Sequence, residues 1–220
     1  MKNLKIGIPL YFAGLFIMTI GISLSVKSDL GVSPLSTIPY TMTCVWGIEM
    51  GNATIIFHCV LVLIQLIVLR KDFSLLILLQ IPVGIVFGKC TTFCNYLVSF
   101  LPDVQNIPIR LLMIIASCVL VALGIFLYVP TNIVPLAGEG CMTAVSRVAG
   151  IEFSKVKIVF DCLMVCISAA VSLITIHEWA SVGVGTVIAA ILVGIILGFM
   201  VRKFGPIRDR ILGCAQFSDM

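Results

Sequence analysis

Charge is scarce in this chain: 11% of its 220 residues are charged against 60% hydrophobic, and the mean hydropathy is +1.22. A water-soluble globule of this size would lack the polar residues to cover its surface, so that class is excluded. Histidine occurs twice, at His58 and His177, which leaves little for imidazole chemistry. No Ser-His-Asp order, no H-E-x-x-H, no clustered carboxylates and no phosphate-binding P-loop occur, so the chain does not read as an enzyme and any use of ATP would need a partner. There is no basic patch either. The net charge of +4 is spread over the ends of apolar runs, the pattern of a positive-inside bias rather than of nucleic-acid binding.

What is present is apolar sequence in lengths suited to a bilayer, where a helix needs roughly 20 residues to cross. We draw spans at 6 to 26, 53 to 69, 74 to 99, 110 to 129, 156 to 176 and 181 to 201, with two irregular segments at 30 to 46 and 133 to 149. The first run is too long for a signal-peptide core and no A-x-A-like cleavage site follows it, so it is expected to be a retained helix. Most of the nine cysteines, among them Cys59, Cys90, Cys94, Cys118, Cys162 and Cys166, lie inside these runs as small hydrophobes. Although Cys90/Cys94 and Cys162/Cys166 have a spacing a soft metal would use, no metal and no cofactor is expected.

Sliding the chain by 103 residues lays "GISLSV" at 21 to 26 over "GIFLYV" at 124 to 129, and "VWGIE" at 45 to 49 over "VAGIE" at 148 to 152. Eleven of the thirty-nine positions from 21 to 59 are identical without a gap, more than apolar composition alone supplies. At an offset of 110, "VGIVFG" (83 to 88) meets "VGIILG" (193 to 198). The chain therefore reads as one polytopic membrane domain over 1 to 220, built from repeat one (6 to 99) and repeat two (110 to 201), with 202 to 220 as a cytoplasmic tail.

The fold class expected is an all-α membrane protein of six transmembrane helices, arranged as two inverted three-helix repeats, each with a broken or re-entrant segment after its first helix. An eight-span reading, in which both irregular segments cross, puts fewer basic residues inside. The six-span reading keeps Lys2, Lys5, Arg70, Lys71, Arg147, Lys155, Lys157, Arg202, Lys203, Arg208 and Arg210 in the cytoplasm, leaving Lys27 and Arg110 outside. Both termini are then cytoplasmic.

Backbone without regular helical bonding is tolerated at membrane depth only where protein or a wet cavity satisfies it. Pro34 and Pro39 in the first copy, and Pro130, Pro135, Gly138 and Gly140 in the second, are such interruptions, and paired interruptions point to a transporter's central site. Ser33, Ser36, Thr37 and Tyr40 would line it from the first copy, and Glu139, Thr143 and Arg147 from the second. Glu139 stands out, because a lone carboxylate in a membrane must be paired, protonated or wet. Lys89, if mid-span, needs a partner such as Glu139. His58 and Asp161 occupy matched repeat positions and, with Glu139 and Lys89, are the candidates for proton or ion coupling, unless they merely face interfacial water. Asp29 and Asn132 read as terminal caps, and Glu49 and Glu152 as helix N-terminal charges. The hydroxyls have a plainer alternative, bonding back to their own helix.

The segments "GLFIMTIGISLSVKSDLGVSP" (14 to 34) and "VGVGTVIAAILVGIILGF" (182 to 199), with the "PLAGEGCMTAV" region, resemble the YczE/YitT-like family of bacterial multi-span membrane proteins. The resemblance implies a permease-like protein in the bacterial inner (plasma) membrane. Family members carry a Pro followed shortly by an Asp near the place where this chain has Glu139. The function expected is thus a small secondary transporter or permease for a small molecule or ion, working in the lipid bilayer, possible homo-oligomer included. The alternative is a substrate-binding or scaffold subunit that works with a separate partner.

Overall fold

The computed structural model describes residues 4 to 102, 104 to 179 and 181 to 212. Among them the protein is helical throughout: α1 (Leu4–Ser28), α2 (Pro34–Trp46), α3 (Met50–Leu69), α4 (Gln80–Ser99), α5 (Ile107–Tyr128), α6 (Ala137–Ala149), α7 (Phe153–Thr175) and α8 (Val184–Leu212). Short 3-10 turns link α3 to α4 and extend α5. Six helices, α1, α3, α4, α5, α7 and α8, are long and apolar enough to cross a membrane.

Two expectations need correction. The segments 30 to 46 and 133 to 149 are not irregular for most of their length, since α2 and α6 are regular 13-residue helices. Pro34 sits at the first turn of α2, where its missing N–H breaks no bond, and the non-helical backbone is limited to the approaches at 30 to 33 and 133 to 136, which end on the extended Ser33 and Leu136. The stretch expected as a tail continues as helix to Leu212, with 213 to 220 outside the described residues. It packs back on the bundle: Arg208 lies over the Phe126 ring at 4.4 Å, donates to the Phe126 carbonyl and pairs with Asp209 at 2.8 Å. Hydropathy falls at Arg202, but a helix stays a helix while its next turn finds a buried face.

The 103-residue offset is visible in the backbone. From α2 to α6 the starts differ by 137 − 34 = 103, and the lengths are equal. Gly47 and Gly150, 150 − 47 = 103 apart, both end their helices at φ 66, a left-handed conformation that costs glycine nothing. Asp29 (φ 51) and Asn132 (φ 48) likewise turn the chain in the left-handed region after α1 and after the α5 extension. Glu49 and Glu152 are the N-caps of α3 and α7; the Glu49 carboxylate accepts from the Gly51 amide.

Helix directions follow from the contacts. Along the α1–α5 interface Gly14 meets Gly124, Gly21 meets Ser117 and Val121, and Arg110 donates to the Ser28 carbonyl and pairs with Asp29, so these two helices run antiparallel. A methyl group at Gly14 would sit 2.8 Å from the Gly124 carbonyl, and one at Gly124 would sit 2.6 Å from the Gly14 carbonyl. The backbones touch because both helices lack side chains there, the way close packing is reached without a hydrophobic drive between helices. The α3–α4 interface is also antiparallel, with Gly88 at Gly51 and Ile55, Gly84 at His58, and Gln80 at Gln65. In contrast α8 runs parallel to α5, from Gly185 beside Ile114 to Arg208 beside Phe126.

Candidate functional site

Leu35 of α2 packs on Gly138 of α6, where an added methyl would lie 2.8 Å from the leucine side chain. The two residues are 138 − 35 = 103 apart, so the short helices touch through equivalent positions in their first turns. The positive N-terminal ends of the two helices therefore lie close together.

Glu139 follows Gly138 in that first turn, where a negative charge is favoured. Its side chain is half-buried, yet Oε2 is closed off and has no hydrogen-bond partner. Beside it are the buried rings of Tyr128 from α5 and Tyr11 from α1, in edge contact at 6.0 Å. Tyr11 donates to the Val134 carbonyl at 2.8 Å, whereas the Tyr128 hydroxyl is buried without a partner. Burial raises the Glu139 carboxyl above the ordinary value of 4.5; its own backbone, the Tyr128 hydroxyl and Lys157 pull the other way, and Asp161 adds to the rise. Lys157 and Asp161 form an ion pair of 2.7 Å one turn apart on α7. The arrangement is a shielded acid at a helix N-terminus, able to take up a proton or a small cation.

Behind Glu139 lies a pair that sequence reading missed. Gln65 (α3) and Gln80 (α4) are 1% and 3% exposed and exchange amide hydrogen bonds of 2.8 and 3.2 Å. Gln65 also donates to the Ala137 carbonyl at the start of α6. A methyl at Gly140 would meet the Gln65 Oε1 at 2.8 Å, so glycine there lets α6 settle on the amide pair. The signal was available: Gln65 is a lone amide within an apolar span, which a membrane interior tolerates only with a partner.

The structure brings only some of the expected site residues together. Ser36 and Thr37 are buried in α2, with Ser33 and Tyr40 half-buried. Their hydroxyls are mostly occupied locally, Ser33 with Ser36 at 3.1 Å and Thr37 with the Pro34 carbonyl at 2.7 Å, which is the plainer alternative. Thr143 and Arg147 are exposed, and Thr143 bonds back to the Glu139 carbonyl. Lys89 does not pair with Glu139; it is exposed and reaches Asn52 at 3.5 Å, because its position on α4 faces away from α6. His58 is buried, stacked on Phe87 at 5.6 Å, with Nδ1 unpartnered. Asp161, its match in repeat two, lies instead near Glu139 and Lys157.

Six apolar helices around buried polar side chains define a polytopic helical membrane protein. The chain belongs to the family described as a family of unknown function (DUF6198), whose model matches residues 6 to 202. It is similar to the uncharacterized membrane protein YczE of Bacillus subtilis (strain 168), with 24% identity over 193 residues, covering 86% of this chain and 82% of that one. This agrees with the YczE-like resemblance seen in the hallmark segments. No solved structure matches the chain.

Proposed function

We propose that the protein is a small secondary transporter or permease for a small solute, coupled to a proton or small cation through Glu139. The observation that carries the reading is the Glu139 carboxylate, whose closed-off Oε2 lies beside the buried Tyr128 hydroxyl and forms no ion pair with a basic side chain among the described residues. A buried acid without a basic partner inside a membrane protein is costly unless it binds and releases something.

The architecture proposed is two inverted repeats with α2 and α6 entering the bilayer from opposite faces and returning. Support comes from helix direction. The α1–α5 pair is antiparallel although α5 is the repeat-two match of α1. Thr41 of α2 bonds Ser181 at 2.6 Å, and the neighbouring Leu30 carbonyl accepts from the Gly185 amide, so α2 lies at the C-terminal end of α1. The Tyr11 bond to Val134 ties the approach to α6 to the opposite end. Paired half-length helices meeting at the axis of inverted repeats are the recurrent build of transporter sites. Both termini are assigned to the cytoplasm of a bacterial inner membrane, supported by the basic residues Lys5, Arg70, Lys71, Lys155 and Lys157 at the end of the bundle where α1 begins.

The test is flux in proteoliposomes that enclose a pH-sensitive dye, screened against a panel of small organic and inorganic solutes. An internal pH change on adding a solute, lost in Glu139→Gln while the variant elutes as the parent does and melts no lower, is the expected result. Equal flux with Glu139→Gln would remove the acid from the mechanism. Copurification with an ATPase, with no flux from the chain alone, would favour the alternative of a substrate-binding subunit.

A further inference from the structure

The two halves differ at one interface. In repeat one, α4 presses Gly84 and Gly88 onto α3: a methyl at Gly84 would sit 2.9 Å from His58 Nδ1, and one at Gly88 would sit 2.6 Å from the Gly51 carbonyl. The matching glycines of α8 are Gly194 (84 + 110) and Gly198 (88 + 110), within the near-identical "VGIVFG" and "VGIILG". Nothing lies within 4 Å of a methyl at either. While α3 and α4 are closely packed, no comparable interface joins α7 to α8. The apolar residues flanking the gap are open too, with Ile158 of α7 64% and Ile195 of α8 62% exposed.

The geometry points to a second conformation in which the halves exchange roles: α8 docks its Gly194 and Gly198 face on α7 as α4 now docks on α3, and α3 and α4 part. This rests on the inverted-repeat reading above and names the movement that would expose Glu139 to alternate sides. Repeat one itself identifies what covers the α8 face, because the helix that covers the equivalent face is α3 and the match of α3 is α7. In the docked state Ile158 stands against Gly198 as Ile55 stands against Gly88, and Asp161 faces Gly194 as His58 faces Gly84. One position departs from the match: Ser154 replaces Gly51, so the ends of α7 and α8 stay farther apart and the contact centres on Gly194 and Gly198. The switch is two-state because a glycine face either admits the partner backbone or does not.

The experiment is crosslinking in native membranes. Ile158→Cys with Ile195→Cys, which flank the glycine face without filling it, is made in a background lacking the native thiols and treated with a short bifunctional thiol reagent. Both sites face open space here, so the variant retains the fold. The expected product is a crosslink within one chain, suppressed by adding Gly194→Leu. Gly88→Ala strains the α3–α4 contact and should raise the crosslink yield by roughly tenfold, a population shift set by the differential strain between the two states. No crosslink under any of these conditions, or a crosslink only between two chains at doubled mass, would overturn the exchange. Lost crosslinking with solute flux intact strikes this inference alone. Crosslinking in a protein that carries no solute strikes the transport reading alone.

Discussion

The first half of the molecule is closed and the second is open, though both carry the same glycine motif. In repeat one Gly51, Gly84 and Gly88 bring α3 and α4 into backbone contact; in repeat two Gly194 and Gly198 face nothing. A small-residue face permits close packing without commanding it, and the position of the partner helix decides. The buried polar groups differ in parallel. Repeat one pairs Gln65 with Gln80, while the match of Gln65 in repeat two, Ser168 (65 + 103), is buried with its hydroxyl unpartnered. At this one pair of matched positions repeat one is satisfied and repeat two is not.

That asymmetry is broken most severely by filling the closed side. Gly88→Leu should lower stability by about 3 kcal/mol or more, since the side chain must displace backbone of α3, whereas Gly198→Leu should leave it unchanged. Thermal unfolding of the two purified variants in one detergent decides this, and equal losses would mean that α8 is also packed. Next in size is Gln65→Leu, which strands the Gln80 amide and should cost about 1–3 kcal/mol; the double variant Gln65→Leu/Gln80→Leu should regain part of that loss. If the double variant is worse than the single by the full amount, the two amides act independently.

Glu139 sharpens the comparison through pH. Its carboxyl is held above the ordinary value of 4.5 in the folded protein, so between those two values the folded chain holds a proton the unfolded chain has released. Stability from this group is present below 4.5 and is lost as pH rises toward the raised value. The melting temperature of the parent should therefore fall over that window and that of Glu139→Gln should fall less. Parallel curves would place the titration elsewhere. The smallest effect is expected at Lys157→Ala, which removes the exposed partner of a one-turn ion pair and should change stability by no more than about 0.5 kcal/mol. A larger change would make that pair part of the acid site's support.

Much of this was legible before any coordinates. The six long helices follow from apolar run length, and the 103-residue match paired the two segments that hold α2 and α6, though as irregular backbone, and paired Asp29 with Asn132 at the ends of first helices. Glu139 was readable as a lone acid between two glycines. What was not legible depends on tertiary partners. Pro34 and Pro39 suggested broken backbone, yet Pro34 sits at the first position of α2, where no bond is lost, and the helix continues through Pro39 with one backbone bond fewer. Lys89 was matched to Glu139 on charge alone, and helix rotation, which charge does not reveal, turns it toward Asn52. Of the tyrosines that enclose Glu139, Tyr128 ends α5 shortly before it, whereas Tyr11 lies in α1, far away in the chain, and only the glycine-mediated approach of α1 to α5 brings it there.

The central claim is that α2 and α6 enter from opposite faces of the membrane, and it is tested most directly at their equivalent last residues, Trp46 and Ala149 (46 + 103). Each is replaced singly by cysteine in a background without native thiols, and intact cells are exposed to a membrane-impermeant thiol reagent. The account predicts that Trp46→Cys is labelled at once and Ala149→Cys only after the membrane is opened. Labelling of both from the same side would contradict it.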